Sequence, residues 1–363
     1  MPSNRSSLSD AIDKVCSYED LVEQILLRLP VTSLLRFESV SKHWYSLISD
    51  SRFQLLRATR TIDPPSSLYA MDYKTDTKTL DHYIVPLDDV KNRAKAPCVT
   101  LNFDPADMGT TSILHSSCNG IISEVDQFVL YMYQSLQYSS GMTLAFDPSK
   151  SPYFKIVSIH RLELNDYQIG IYSSQTCTWK ASCKCTGDFL VYRGGGVYWN
   201  NDVHWLDTTG LFLYFNLDEE IECQMQTSFR SLTSNDMFES RDHLLLVKND
   251  IPSNVKIHEL KRDYSGWFVK YHVELDQLCA SFPKLVNPNF AREYKFRVLS
   301  IVLDEKEDGE SFFILAIGRI AIRFNLVTNT FYQLYYFNAS YNYNEMVIRF
   351  PDTHQFIPSL YKV

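Results

Sequence analysis

The first sixty residues place apolar side chains at the spacing of an amphipathic helix. Leu21, Ile25 and Leu29 recur every fourth position, and Leu26 lies beside them, so all four share one face of a helix. Proline lacks a backbone N–H and disfavours helical geometry in the residue before it. The pattern therefore predicts a helix that begins near residue 18 and ends just before Pro30.

Shorter apolar runs after Pro30 predict three more helices. Thr32 or Ser33 is expected to cap the second, and Asp50 precedes the fourth. The apolar positions of these helices are Leu34, Leu35 and Phe37 in the second, Val40, Trp44, Leu47 and Ile48 in the third, and Phe53, Leu55 and Leu56 in the fourth. A bundle this small has little interior, so part of its apolar surface should remain available to a partner.

From about residue 62 the pattern changes to short apolar runs separated by turn residues. The chain has 23 tyrosines and 22 phenylalanines, which favour strands, and Pro64 and Pro65 indicate a linker before them. Strands are predicted at residues 113–114, 121–122, 128–133, 143–146, 154–159, 189–192, 197–199, 203–206, 212–217, 244–247, 255–260, 267–273, 298–303, 312–317, 320–324 and 331–335. Many short strands with few helices indicate a sandwich, a barrel or a propeller.

Length narrows this choice. About 300 residues exceed one sandwich, whereas blades of roughly 40 to 50 residues would make a propeller of six or seven blades. A weak internal repeat supports blades: Phe215 and Asn216 precede a turn, as do Phe324 and Asn325. A pair of packed β-sandwiches remains the alternative.

Composition restricts the classes of partner. A formal net charge of −8 argues against a nucleic-acid backbone, because phosphate binding relies on basic patches. The longest apolar run, residues 312–322, is interrupted by Gly318 and Arg319 and is too short to span a bilayer. Residues 1–14 have no apolar run and are expected to be a flexible tail rather than a signal peptide. The eight cysteines are expected to be reduced thiols.

Enzymatic motifs were sought without success. The sequence has no Gly-x-Ser-x-Gly elbow, no His-Glu-x-x-His and no phosphate loop ending in Lys-Ser or Lys-Thr. Cys177, Cys183 and Cys185 with His160 or His204 are a conceivable zinc site, but the spacing is not that of a four-ligand site, so buried thiols are favoured. We expect neither a metal, nor a cofactor, nor enzymatic activity.

The sequence of the predicted helices resembles that of a known family. The order Asp-Leu-x-x-x-Ile-Leu-x-Arg-Leu-Pro-Val-x-Ser-Leu-Leu-Arg-Phe-x-x-Val-Ser-Lys-x-Trp, at residues 20–44, closely resembles the F-box of plant F-box proteins, as do residues 47–53. The resemblance implies that these helices dock on the Skp-type adaptor of an SCF ubiquitin ligase and, through it, a cullin scaffold. It implies that the following residues lie in or beside the docking surface: Leu21, Ile25, Leu26, Leu29, Pro30, Val31, Leu34, Leu35 and Phe37. Val40 and Trp44 are expected to hold the bundle together.

Two positions depart from the family. Plant F-boxes usually have Leu-Pro where this chain has Ser17 and Tyr18. We expect this change to weaken docking without abolishing it.

The strand-rich part resembles the F-box-associated, kelch-like domain of plants. The resemblance rests on residues 117–122, 145–148, 195–199 and 255–260 and on Trp267. It implies that the β domain captures the protein to be ubiquitinated, although no substrate-binding residue can be named.

These observations predict an α+β multidomain protein: a helical F-box domain at 15–60 and a β-propeller-like substrate-binding domain at 61–363. The predicted function is that of a non-enzymatic substrate receptor in the cytoplasm or nucleus, binding a Skp-type adaptor and an unidentified protein but no nucleic acid or membrane. Two alternatives remain open. One is an adaptor-bound scaffold outside degradation. The other is a glycan- or ligand-binding β domain that uses aromatic residues such as Tyr198, Trp199, Trp205 and residues 341–343.

Overall fold

A computed structural model describes residues 19–60, 63–74, 79–87, 117–118, 121–122, 139–162, 166–186, 196–206, 210–229, 237–250, 254–282, 296–304, 309–317, 319–337, 352–357 and 360. The predicted strands at 113–114, 128–133 and 189–192, the tail at 1–14 and the Ser17-Tyr18 position lie outside the described residues.

Four helices form the N-terminal bundle: α1 (Glu19–Leu26), α2 (Val31–Phe37), α3 (Lys42–Ile48) and α4 (Ser51–Arg60). Helix α1 stops before Pro30, as predicted, but three residues earlier, because the last turn tightens. The N–H groups of Arg28 and Leu29 donate to the carbonyls of Ile25 and Leu26, three residues back, as in a 3₁₀ turn.

The predicted cap of α2 was wrong, whereas α3 and α4 begin at capping side chains. Pro30 itself is the N-cap residue of α2, and no side chain of Thr32 or Ser33 caps that helix. At α3 the Ser41 hydroxyl accepts a hydrogen bond from a backbone N–H, and at α4 the Asp50 carboxylate accepts two. The capping residues therefore set where the last two helices of the bundle begin.

The bundle has a compact apolar core. Its buried members are Val22, Leu26, Leu27, Val31, Leu34, Ile48, Phe53 and Leu360. Phe37 and Trp44 pack edge to face beside this core, with ring centroids 5.0 Å apart. Trp44 thus helps to hold the bundle together, as expected, whereas Val40 does not, because it is 62% exposed.

Antiparallel sheets account for the rest of the described chain. The strands are β1 (Ser67–Lys74), β2 (Thr79–Pro86), β3 (Ser117–Cys118), β4 (Ile121–Ile122), β5 (Ser139–Ala145), β6 (Lys155–Arg161), β7 (Asp166–Ser173), β8 (Thr178–Thr186), β9 (Val197–Trp199), β10 (Asp202–Leu206), β11 (Leu211–Asn216), β12 (Glu222–Gln226), β13 (Met237–Ser240), β14 (His243–Asp250), β15 (Asn254–Leu260), β16 (Trp267–Glu274), β17 (Arg297–Val302), β18 (Phe312–Ile317), β19 (Ile320–Asn325), β20 (Phe331–Tyr336) and β21 (Asp352–Phe356). A short helix, α5 (Asp276–Ser281), follows β16.

The sheets are the blades of a β-propeller. Four sheets have four strands in chain order, β5 to β8, β9 to β12, β13 to β16 and β17 to β20, and a fifth has the order β2-β1-β21. The described residues therefore show five blades instead of the six or seven expected from length. Between β2 and β5 the structure describes only the hairpin β3-β4.

The first strands of the blades line the centre of the propeller. Strand β21 takes this place in the fifth sheet, so the chain closes the ring by pairing β21 with β1. Four junctions between neighbouring sheets carry a side-chain hydrogen bond. Gly196 N donates to Thr143 Oγ1 at 2.6 Å, and Trp199 Nε1 donates to the Asp242 carbonyl at 2.8 Å. Leu303 N donates to Ser240 Oγ at 3.0 Å, and Gln355 Nε2 donates to the Ile301 carbonyl at 2.6 Å. Blades are thus joined by polar bonds as well as by apolar packing.

The weak repeat in the sequence corresponds to one turn that recurs in two blades. The side-chain oxygen of Asn216 accepts hydrogen bonds from the backbone N–H groups two and three residues ahead, and so does that of Asn325. Each turn ends in a residue with positive φ, Glu220 in one and Asn329 in the other. The repeated asparagine therefore sets the turn between the third and fourth strands of a blade.

Candidate docking surface

Six large apolar side chains of the bundle are exposed, and three of them, Leu21, Ile25 and Leu35, are among the residues expected in or beside the docking surface. Leu21 and Ile25, one helical turn apart on α1, are 49% and 50% exposed, and Leu35 on α2 is 42% exposed. Their immediate neighbours Leu26 and Leu34 are fully buried. The core of the bundle is therefore complete without these three residues, and exposed apolar side chains of this kind are what a partner helix or groove covers.

The other residues expected in or beside the docking surface occupy three environments. Pro30 is exposed, Leu29 and Phe37 are partly buried against the core, and Leu26, Val31 and Leu34 belong to the core. The last three support the surface from beneath. Only the exposed members, Leu21, Ile25, Pro30 and Leu35, offer their side chains to a partner in the free protein.

A buried arginine joins the bundle to the segment that follows it. Arg57 on α4 donates to both carboxylate oxygens of Asp63, and its side chain is only 5% exposed. The same guanidinium donates to the Leu29 carbonyl at 3.0 Å, one of the carbonyls that the end of α1 leaves without a helical partner. This residue was not predicted from the sequence, because a single arginine in a helix has no pattern that distinguishes it from a solvated charge.

The bundle is attached at a defined end of the propeller. Strand β1 begins at Ser67, which pairs with Phe356, the last residue of β21. Strand β21 runs parallel to β17, because the side chains of Thr353 and Gln355 bond the carbonyls of Leu299 and Ile301. The chain therefore leaves the bundle at the end of the propeller where the first strands finish, and the opposite end is where they begin.

A buried polar network lies between the second and third four-stranded blades. His204 is fully buried, with Nδ1 at 3.1 Å from the Val197 carbonyl and Nε2 at 2.9 Å from the Tyr264 hydroxyl. The Tyr264 hydroxyl is also hydrogen-bonded to the Asp202 carboxyl group, which accepts another bond from the Asn216 amide. The imidazole is flanked by the rings of Phe212, Tyr214 and Tyr264 in stacked arrangements.

Burial sets the ionisation of this network. It lowers the pKa of His204 to about 3, so the imidazole is neutral near pH 7. Burial also raises the pKa of Asp202, and burial with the nearby Asp202 raises the pKa of Tyr264 above its ordinary range. The sequence analysis named His204 only as a conceivable zinc ligand. Its bonds to Val197 and Tyr264 give it a role in joining strands.

The remaining sequence candidates do not form a ligand site within the described residues. No group of three or more potential metal ligands occurs there, and Cys177 is exposed while Cys183 is partly buried. The structure describes the side chain of neither Cys185 nor His160. Trp199 and Trp205, named for ligand stacking, are 3% and 5% exposed, so their rings are core residues. Residues 341–343 lie outside the described residues.

None of the helices within the described residues is long and apolar enough to cross a membrane.

Comparison with known proteins agrees with the geometry of the bundle. Residues 19–56 match the family model of the F-box domain. The chain is 28% identical to the F-box protein At5g07610 of Arabidopsis thaliana, over 96% of this chain and 93% of that protein. It is 22% identical to the Arabidopsis F-box/kelch-repeat protein At3g17530, over 60% of this chain and 62% of that one. Over a short segment, 9% of each chain, it is 62% identical to the Arabidopsis F-box protein At3g17710.

An F-box domain implies binding to a Skp-type adaptor, and members of the family are typically non-catalytic substrate adaptors. The domain match, the relatives and the helices α1 to α4 followed by a propeller agree with one another. The chain therefore contains a segment that matches the F-box domain, and over most of its length it is similar to an Arabidopsis F-box protein.

Proposed function

We propose that this chain is the substrate-recognition subunit of an SCF-type ubiquitin ligase. The bundle docks on a Skp-type adaptor, and the propeller holds a target protein for ubiquitination. The observation that carries the proposal is the exposure of Leu21, Ile25 and Leu35 on a bundle whose core is already filled by other residues. A few clustered apolar anchors supply most of the affinity in such interfaces.

The attachment of the bundle suggests where the target is held. The bundle joins the propeller at the end where the first strands finish, so the opposite end is free of it. A target on that opposite end would face away from the linker at residue 63, with the whole propeller between it and the bundle. No residue of the target site is assigned, and this part of the proposal rests on the fold.

The chain itself needs no catalytic group for this role. By binding adaptor and target together, it converts a bimolecular encounter into an intramolecular one, which raises the effective concentration of the target. Ubiquitin transfer is then carried out by other subunits in the cytoplasm or nucleus.

The docking step can be tested with two isoleucines of equal exposure. Ile25 on the bundle is 50% exposed and Ile221 on the propeller is 51% exposed. We expect Ile25→Asp to weaken binding of the full chain to a purified Skp-type adaptor by about tenfold or more, since buried anchors commonly contribute about 2 kcal/mol. Ile221→Asp should bind as the wild type does. Equal affinities for wild type and Ile25→Asp, or no binding by the wild type, would contradict the proposed docking.

A second experiment distinguishes a ligase receptor from an adaptor-bound scaffold. A receptor predicts at least one bound protein whose level rises when this chain is removed and is restored by wild type but not by Ile25→Asp. A scaffold predicts bound proteins whose levels do not respond.

A further inference from the structure

Leu360 belongs to the core of the F-box bundle, although it lies beyond the last propeller strand in the sequence. It is 4% exposed and packs in the same cluster as Leu26, Leu34 and Ile48. Its carbonyl lies 3.4 Å from the side-chain amide of Gln54 on α4. The bundle is therefore completed by a residue from the opposite end of the sequence.

The position of Leu360 depends on the strand that closes the propeller. Strand β21 ends at Phe356, four residues before Leu360, and it pairs with β1 from Ser67 to Met71. Gln355 secures β21 on its other side by donating to the Ile301 carbonyl and the Ser300 hydroxyl. Displacement of β21 would remove the anchored strand from which the chain leads to Leu360 in the bundle.

Two chain segments thus cross between the bundle and the propeller. One runs through Asp63, whose carboxylate Arg57 binds, into β1. The other runs from β21 to Leu360. Because β1 and β21 pair with each other, the two crossings start from adjacent positions on one blade and both end in the bundle. Such a double attachment restrains the bundle more than a single linker does.

We propose that Leu360 is a positioning residue that couples closure of the propeller to the stability and orientation of the F-box bundle. The bundle is small, and small domains bury a low fraction of their surface, so the loss of one core residue removes a large share of the buried apolar area. Removal of one leucine leaves a cavity that neighbouring side chains fill only in part. A chain with an unclosed propeller therefore presents a loosened docking surface. That last consequence rests on the proposed function, whereas the coupling itself does not.

Hydrogen exchange of the full chain tests the coupling without any partner. The variant is Leu360→Ala, and the matched control is Leu162→Ala, whose leucine is 42% exposed on the propeller. We expect backbone amides of α3 and α4 to exchange about tenfold faster or more in Leu360→Ala. Replacing a core leucine by alanine lowers stability substantially, and less stable segments open and exchange more often. Amides of β14, β15 and β18 should be unchanged. Unchanged bundle amides, or equal acceleration in the bundle and the propeller, would overturn the proposal.

A second variant tests the coupling from the propeller side. Gln355→Ala removes the side chain that holds β21 to β17, and Gln355 is not a member of the bundle core. If closure and bundle are coupled, amides of α3 and α4 should exchange several-fold faster in this variant too. Acceleration limited to β1, β17 and β21 would overturn the coupling.

Adaptor binding then links the coupling to docking. Leu360→Ala should weaken binding of the full chain several-fold, and Leu360→Met, which nearly conserves volume, should restore most of it. If the wild type does not bind the adaptor, the proposed function fails while the exchange result still decides the coupling. If Leu360→Ala shows accelerated exchange but binds the adaptor as tightly as the wild type does, the coupling does not reach the docking surface. That result would overturn the proposed effect of Leu360 on docking.

Discussion

Arg57 and Asp63 form a buried, bidentate ion pair, with guanidinium nitrogens 2.6 and 2.9 Å from the two carboxylate oxygens. Both side chains are almost completely removed from water, at 5% and 12% exposure. A fork-to-fork geometry of this kind is specific to arginine. It fixes the angle at which the chain leaves α4, and with it the entry of β1 into the propeller.

Loss of this pair should destabilise the protein strongly. In Arg57→Ala the Asp63 carboxylate is left buried without its partner, and the Leu29 carbonyl loses its donor. We expect a loss of about 3–5 kcal/mol in the free energy of unfolding, measured by denaturant titration. Arg52→Ala on the same helix is the control, since Arg52 is 78% exposed and lies 3.9 Å from Glu23, a pair worth less than about 1 kcal/mol. Similar losses in both variants would contradict a special role for Arg57.

Two adjacent residues of α1 should separate stability from docking. Leu26 is fully buried and Ile25 is 50% exposed. Leu26→Ala should lower the free energy of unfolding by about 2–5 kcal/mol, whereas Ile25→Ala should change it by less than about 0.5 kcal/mol. Thermal and denaturant unfolding of the two variants check this. A large loss in Ile25→Ala would mean that this side chain belongs to the core rather than to a docking surface.

Removal of the Tyr264 hydroxyl, with the ring retained, should destabilise the protein. Tyr264→Phe keeps the stacking on His204 but removes the hydroxyl shared with Asp202. Buried polar groups deprived of a partner cost about 1–3 kcal/mol, and we expect a loss in this range. Tyr153→Phe, at a tyrosine that is 48% exposed, should be neutral in the same unfolding assay. No difference between the two variants would indicate that the bonds of the hydroxyl contribute little.

The buried His204 predicts a pH dependence. Its pKa is lowered from 6.5 to about 3 in the fold, so between these values the unfolded chain binds a proton that the folded chain does not. The free energy of unfolding therefore has its full value with respect to His204 above about pH 6.5. It decreases as the pH falls toward about 3, by up to about 1.4 kcal/mol per pH unit.

The measurement compares unfolding of wild type and His204→Gln from pH 7.5 to pH 4. Glutamine does not titrate, so the wild type should lose stability relative to the variant as the pH falls, and the two should run parallel above pH 6.5. Parallel curves across the whole range would show that His204 does not titrate on unfolding.

Local patterns explain why much of the fold was predicted correctly. The helices of the bundle and strands such as β11, β15 and β18 have apolar residues at the period of their own secondary structure. The strands that escaped prediction include β8 and β12, which are the outer strands of their blades. Their sequences TWKASCKCT and ECQMQ are mostly polar, because an outer strand buries neither face fully and therefore lacks the apolar alternation on which prediction depends.

The residues that escaped prediction at the site share a different property. Leu360 and Asp63 act through contacts with residues that are distant in sequence or outside any periodic element. A lone leucine or aspartate carries no local signal of such a contact, whereas the apolar face of α1 was visible in the spacing of Leu21 and Ile25.

The pairing of β1 with β21 has a consequence for how the protein reaches its native state. Strand β1 is made early in synthesis, but its second neighbour is made only after all the other described strands. Until then one edge of β1 has unpaired backbone groups, which can pair with another chain. Contacts between such distant residues also form slowly. Newly made chains should therefore pass through an open-ring intermediate that is prone to aggregation, and they should depend on chaperones until β21 is in place.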